Sequence, residues 1–220
     1  MKLETPRVAV AGLAGDSGKT LVSLGLARAC VDRGHAVAGY KKGPDYIDAA
    51  WLAAATGSPC RNLDSFFMNE SAIGRSVAVS AAADLLLIEG NRGLYDGVDA
   101  EGRHSTAELA KKLAAPVILV VDVTKQTRTA AAVVLGCRDL DPELRLAGVI
   151  LNRVGTARQE RVLRAAIETA TGIPVVGAIP RLGNGDMLPS RHLGLLTVAE
   201  HPQQDQVIDP QDNLHPGRDP

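Results

Sequence analysis

Residues 12–20, "GLAGDSGKT", close on Gly18-Lys19-Thr20, the end of a phosphate-binding loop. The usual spacing, G-x-x-x-x-G-K-[ST], would put the first glycine at position 13. That position holds Leu13, and the glycine stands one residue earlier, at Gly12. In such a loop, backbone N–H groups turn inward toward phosphate and the following helix N-terminus adds its positive end. Gly12, Gly15, Asp16, Ser17, Gly18, Lys19, Thr20 and Leu21 are the expected nucleotide contacts. Lys19 is placed to reach the β- and γ-phosphates, and Thr20 to hold Mg²⁺.

Three further stretches carry charge where chemistry needs it. "LLLIEG" ends in Glu89 and Gly90, and a carboxylate at that point can hold a nucleotide's Mg²⁺ directly or through water. "NRGLYDG", Asn91 to Gly97, has the glycines of a tight loop that carries Arg92, Tyr95 and Asp96. "KKGPDYID", Lys41 to Asp48, sets a Gly-Pro turn between two lysines and the acids Asp45 and Asp48, with Tyr46 between them. Cations beside carboxylates suit a site that handles Mg²⁺ and an anionic substrate.

The elements that must position these residues are legible as apolar runs. "VAVAGL" (8–13), "HAVAGY" (35–40), "DLLLIEG" (84–90), "PVILVVDV" (116–123), "LAGVILN" (146–152) and "PVVGAIP" (174–180) are apolar at nearly every position. Strands read this way when both faces of a parallel sheet are covered. Helices are expected near 19–33, 48–56, 70–82, 105–115, 126–138 and 157–171. Ser105-Thr106-Ala107-Glu108 reads as a capped helix start, and Gly34 and Gly172 as helix stops. The alternation predicts an α/β fold, doubly wound around a mostly parallel sheet, of the P-loop NTPase-like kind. Ligands then bind beyond the carboxyl ends of the strands.

Composition narrows the class. The chain has 220 residues, 45% hydrophobic and 22% charged, as expected of a globular protein with one main domain. A formal net charge of -1 gives no general attraction to nucleic acid or anionic membrane. The N-terminus shows no signal-peptide pattern, and a cytoplasmic setting is expected. Cys30, Cys60 and Cys137 form no C-x-x-C pair and suggest neither a disulfide framework nor a zinc site. Residues 1–200 read as the folded domain. The stretch 201–220, with four prolines, four aspartates and four glutamines, reads as a disordered tail or truncated linker.

The one-residue shift, G-x-x-x-x-x-G-K-T, resembles the loop of ATP-dependent carboxylate-activating enzymes similar to dethiobiotin synthetase. The loops of partition and cell-division ATPases carry an extra lysine where this chain has Ala14. The elements "KKGPDYIDAAWLAAATGSPCRNLD", "LLIEGNRGLYDG", "STAELAKKLAAPVILVVD", "GVILNRVG" and "PSRHLGL" occur in order over about residues 5–200. Together they closely resemble the ATP-binding domain of the cobyrinic acid a,c-diamide synthase family, which includes amidases acting on sirohydrochlorin and sirohaem. The resemblance implies an amidoligase, forming C–N bonds from ATP, Mg²⁺ and a tetrapyrrole acetate through an acyl phosphate. It implies that Asp45, Asp48, Glu89 and Asp96 lie near metal and substrate, with the metal ligand among Asp45, Asp48 and Asp64 left open. It implies that Lys41 meets phosphate or the substrate carboxylate, that Tyr46, Arg92 and Tyr95 line the substrate side, and that Asn152 reads adenine.

Departures from the family pattern are specific. Leu21 replaces a second threonine and removes one phosphate contact. "GVMGLFDG" is here "GNRGLYDG", which adds Arg92. "PERHLGL" is here "PSRHLGL", with Ser190. Family members continue into a glutaminase domain. Cys137 does not match its nucleophile, so a glutaminase domain or subunit acting in trans is the expected partner. A homodimer is compatible with these residues. A non-catalytic nucleotide-binding module serving a separate glutaminase, and a stand-alone dethiobiotin synthetase-like enzyme, are the alternatives. His104 and His192 are expected in loops on the site's side, in structural or hydrogen-bonding roles.

Overall fold

The computed structural model describes residues 4–182 and the backbone of 190–191 and 194–195. His192 and the stretch 201–220 lie outside the described residues.

The chain alternates strand and helix. In order these are β1 (Arg7–Gly12), α1 (Lys19–Val31), β2 (Val37–Lys42), α2 (Ile47–Thr56), β3 (Arg61–Leu63), α3 (Glu70–Ala78) and β4 (Leu85–Glu89). There follow α4 (Thr106–Lys112), β5 (Val117–Asp122), α5 (Arg128–Leu140), β6 (Leu146–Val154), α6 (Ala157–Thr171) and β7 (Val175–Pro180). A short antiparallel pair, β8 (Ser190–Arg191) and β9 (Gly194–Leu195), stands apart from the main sheet. The seven-stranded sheet has the order β3-β2-β4-β1-β5-β6-β7, and every pairing in it is parallel. This is the doubly wound α/β architecture expected from the apolar runs.

Alternate strand residues feed two cores. Val10, Val37, Leu87 and Val120 pack against Val22, Leu24 and Ala27 of α1 and Trp51, Leu52 and Ala55 of α2. Ala9, Ala11, Tyr40, Leu86, Ile88 and Leu119 face the opposite side, toward α3, α4, α5 and α6. The period of two along each strand makes this division sharp.

Several boundaries differ from expectation, and the differences at β2 and β3 bear on the site. β2 runs two residues further than the apolar run, so Lys41 and Lys42 end the strand instead of opening the loop. Pairing with β4 and β3 supplies the backbone partners that polar side chains alone do not signal. The three-residue β3 was not foreseen. "RNL" has too few residues to show any periodicity, and it exists because it pairs with Tyr40, Lys41 and Lys42. The expected helix start at Ser105 is present, with its Oγ accepting from the Glu108 amide at 3.2 Å. Gly172 caps α6 with φ 68°, and Gly34 turns the chain after α1 with φ 85°.

Candidate nucleotide-binding site

The site lies at the carboxyl ends of β1, β2 and β4, in the middle of the sheet. Parallel register sets the first relation: Glu89 of β4 sits beside Val10 of β1 on one side and Lys41 of β2 on the other. Glu89 shares its sheet face with Leu87, and Lys41 alternates with Tyr40, so both point toward α1 and α2.

The loop between β1 and α1 is held by its own side chains. Ser17 Oγ donates to the Ala14 carbonyl at 2.7 Å and accepts from the Ala14 amide at 3.2 Å. Lys19 Nζ also donates to the Ala14 carbonyl, at 2.7 Å. Gly18 adopts φ 91°, a left-handed conformation that starts α1, and a Cβ there would collide with the Asn152 amide. Asp16 holds φ 54° and is exposed, with Gly15, at the rim of the loop. Leu21, half-buried, is the third residue of α1. Burial, and then the nearby Lys41, lower the Lys19 ammonium below the ordinary lysine value. An anionic phosphate against this lysine would favour its charged form.

Behind the loop is a buried ionic cluster. Thr20 Oγ1 donates to Glu89 Oε1 at 2.7 Å. Lys41 Nζ donates to the same oxygen at 2.9 Å, to Asp48 Oδ2 at 2.5 Å and to the Gly90 carbonyl at 3.2 Å. Glu89 is fully buried, and its second oxygen, Oε2, has no hydrogen-bond partner among the described residues. Burial pushes Lys41 down, but Glu89 and Asp48 outweigh it and raise the ammonium above its usual value. Burial and the Glu89 charge push Asp48 up to about 6. A raised carboxyl pKa means the folded state holds this proton more firmly than the unfolded chain. Asp48's contribution to stability is therefore complete below 3.8 and declines as pH rises to about 6.

Asp45 caps α2: its Oδ1 accepts the amides of Ile47 at 2.9 Å and Asp48 at 3.1 Å. That cap presents Asp48 to Lys41 in the first turn of the helix. Asn62 of β3 ties this loop down, donating to the carbonyls of Gly43 at 2.7 Å and Asp45 at 2.8 Å. Tyr46 is exposed.

The 91–97 loop lies directly on the phosphate loop. Leu94 N–H donates to the Gly12 carbonyl at 2.7 Å, and a Cβ on Gly93 would stand 2.7 Å from the Leu13 carbonyl. Asp96 Oδ2 accepts from the Gly93 amide at 2.8 Å, so this carboxylate shapes the loop. Tyr95 donates its hydroxyl to the Cys137 carbonyl of α5 at 2.5 Å, which anchors the ring on the side of the sheet away from Lys41. Arg92 is exposed, with φ 50°. Asn152, at the end of β6, donates Nδ2 to the Ser17 carbonyl at 2.9 Å and accepts the Arg153 amide at 2.9 Å. Its amide thus supports the phosphate loop, and Nδ2 keeps one further hydrogen to give.

The residues read from the sequence therefore fall into two groups. Thr20, Lys41, Asp48 and Glu89 form one hydrogen-bonded network, and Lys19 stands beside it, bonded to the Ala14 carbonyl. Asp45, Asp96, Tyr95 and Asn152 each spend hydrogen bonds on holding backbone. Sequence reading noted Lys42 only as the second of two lysines, with no role of its own, and passed over Ser65, Phe66 and Phe67. His104 Nδ1 shares a hydrogen bond with Ser65 Oγ at 3.0 Å, and Phe66 meets the rings of Phe67 and His104 edge-on at 5.1 and 5.5 Å. Adjacent exposed phenylalanines after "RNLD" were the available signal.

A family model described as the CobQ/CobB/MinD/ParA nucleotide binding domain, CbiA, matches residues 8–195. The chain belongs to the CbiA family. This CbiA domain is 44% identical over 211 residues to the cobyrinate a,c-diamide synthase of Archaeoglobus fulgidus, covering 95% of this chain and 46% of that protein. It is 46% identical over 197 residues to the hydrogenobyrinate a,c-diamide synthase of Streptomyces coelicolor, covering 89% of this chain and 40% of that protein. The chain thus spans less than half the length of these curated relatives. Solved structures share the fold. Chloroplast FtsY from Physcomitrella patens matches with a TM-score of 0.57 at 18% identity, over 84% of this chain and 61% of that one. The hydrogenase maturation factor HypB from Archaeoglobus fulgidus matches with a TM-score of 0.50 at 18% identity, over 80% and 81%. No helix among the described residues is long and apolar enough to cross a membrane.

Proposed function

We propose that this CbiA domain activates a tetrapyrrole acetate group for amidation, using ATP and Mg²⁺. A substrate carboxylate oxygen attacks the γ-phosphorus, the bond to ADP breaks, and an acyl phosphate forms. Ammonia then attacks the acyl carbon, phosphate leaves, and the nitrogen gives up a proton. The observation that carries this reading is the buried Thr20–Glu89–Lys41–Asp48 network immediately behind the phosphate loop. Its relatives' names, cobyrinate and hydrogenobyrinate a,c-diamide synthase, supply the substrate class.

Each residue has a task that follows from its chemistry. Phosphoryl transfer needs charge neutralisation and alignment, with little covalent help from protein. Lys19 is the cation for the transferring phosphoryl group. Lys41, held by Asp48 and Glu89, is the cation at the other wall, toward the attacking carboxylate. Thr20 and Glu89 fit a magnesium ion. Oε2 is a hard oxygen with no partner among the described residues, and Mg²⁺ commonly takes one or two protein oxygens with phosphates and water completing the set. When bound, the ion would neutralise phosphate charge. Asn152 has one N–H left for the base. A nitrogen source outside the described residues is expected. Cys60 is pushed up to about 12, mainly by burial, and burial also raises Cys137, so neither is a ready nucleophile. His104 is paired with Ser65.

Two results are expected. In Glu89→Gln, the Mg²⁺ concentration for half-maximal ATP turnover should rise about 10- to 100-fold, the usual cost of losing a metal-supporting group. The thermal midpoint should move little, since Lys41 retains Asp48. An unchanged Mg²⁺ titration would return Glu89 to a purely structural role. In Asn152→Ala, the Ser17 carbonyl loses its buried donor. ATP affinity should fall about tenfold, for a loss of about 1–3 kcal/mol. The preference for ATP over GTP should fall with it. Equal preference before and after would mean that the base is read elsewhere.

A further inference from the structure

Lys42 is the residue that this network does not use. It is adjacent to Lys41 but points to the other face of the sheet, in alternation along β2 with Tyr40, whose ring packs among residues of α3. The residue is 9% exposed, and among the described residues its ammonium makes no hydrogen bond and no ion pair. Its charged neighbours are known from both sides. Asp64 ends the adjoining β3 edge, Arg92 comes from the 91–97 loop, Glu108 from α4, and Lys41 precedes it. Of the two acids, Asp64 spends an oxygen on the Phe66 amide at 2.8 Å, and Glu108 pairs with Lys112 at 2.7 Å. Burial, the largest cause, lowers the Lys42 ammonium below its usual value. The stem is buried while the ammonium keeps access to solvent, so the charge stands at the end of β2 open to an anionic group from outside.

We infer that Lys42, with Arg92 near it, holds a non-reacting carboxylate arm of the substrate while Lys41, one residue away, faces the arm that is activated. The inference rests on the tetrapyrrole reading above and adds to it the residue that fixes which arm reaches the phosphate. Geometry supports the division. Consecutive strand residues send their side chains to opposite faces, so Lys41 and Lys42 flank the carboxyl edge of β2 from two sides. A ligand that meets both must carry several anionic arms on a frame wider than a strand, which a tetrapyrrole polyacid does and a phosphate does not. The chain that leaves Asp64 continues as Ser65-Phe66-Phe67, two exposed rings braced edge-to-face. They give an apolar surface next to the cation, suited to the flat side of a macrocycle.

The test compares binding of cobyrinate and of ATP by the whole 220-residue chain, following corrin absorbance in equilibrium dialysis. Lys42→Met keeps length and burial and removes charge. Its Kd for cobyrinate should rise at least about tenfold, the scale of one charged hydrogen bond, while its Kd for ATP stays within about twofold of the parent. Lys42→Arg should recover most of the cobyrinate affinity. Unchanged ATP binding shows that Lys42→Met is folded. Cobyrinate binding that is the same in parent and Lys42→Met would overturn the inference and leave the tetrapyrrole reading standing. Equal loss of ATP and cobyrinate binding would also overturn it, by making Lys42 a support of the nucleotide site. A parent chain that binds ATP but neither cobyrinate nor hydrogenobyrinate would overturn both.

Discussion

Lys19→Ala should reduce ATP turnover by at least about 2.7 kcal/mol of transition-state stabilisation, or a hundredfold, and the protein should remain folded. The lysine is buried beside Lys41, but its only hydrogen bond among the described residues runs to the Ala14 carbonyl. Removing it therefore breaks no ion pair among the described residues and relieves repulsion with Lys41. On the proposed reading, what it removes is the cation placed to meet the transferring phosphoryl group. The expected pattern is a normal or slightly raised melting temperature, weaker ATP binding, and turnover near background. Phosphate release at saturating ATP and Mg²⁺ is the measurement. Parent-like turnover would take the catalytic charge out of the phosphate loop.

Lys41→Met should do the reverse, acting on stability and activity together. Among the described residues Lys41 is the cation bonded to both Asp48 and Glu89, at 3% side-chain exposure. Breaking a buried pair by deleting one partner costs about 3–5 kcal/mol, because the other charge is left without compensation. Two carboxylates would be left here. The midpoint of urea unfolding should fall accordingly, and turnover should fail even where the protein is folded. Adding Asp48→Asn and Glu89→Gln to Lys41→Met should restore much of the stability, since no buried charge then lacks a partner, without restoring turnover. A parent-like urea midpoint for Lys41→Met alone would mean that the cluster is wetter and weaker than its distances imply.

The contrast between these two lysines shows what the sequence carried and what it did not. The glycine pattern, Lys19 and Thr20 were legible because a phosphate loop is local: nine consecutive residues specify it. The six apolar runs were legible because burial on both faces erases polar positions. Lys41 and Glu89 were noticed as charges near strand ends, but their pairing comes from parallel register between strands separated by 48 positions in the chain. Asp45 read as one of three candidate metal ligands, and its Oδ1 accepts the Ile47 and Asp48 amides at the start of α2, a task its spacing did not announce. Tyr95 read as a substrate residue, and its hydroxyl is spent on Cys137 of α5. β3 escaped notice because three residues carry no period, and so did the strand position of Lys42, whose place opposite Leu63 depends on that strand.

The central claim is that this domain couples ATP cleavage to amide formation on a tetrapyrrole acid. The most direct measurement is the mass of the tetrapyrrole after incubation with the chain, ATP, Mg²⁺ and a high concentration of ammonium chloride, at a pH where free ammonia is appreciable. Cobyrinate, hydrogenobyrinate and sirohydrochlorin are the acids to supply, with glutamine replacing ammonium in a parallel reaction. Mono- and diamide products should form with ammonia, in step with ADP, and should be absent without ATP. Glutamine should be ineffective until a separate glutaminase is added. ATP hydrolysis or binding with no amide from any of the three acids would contradict the claim.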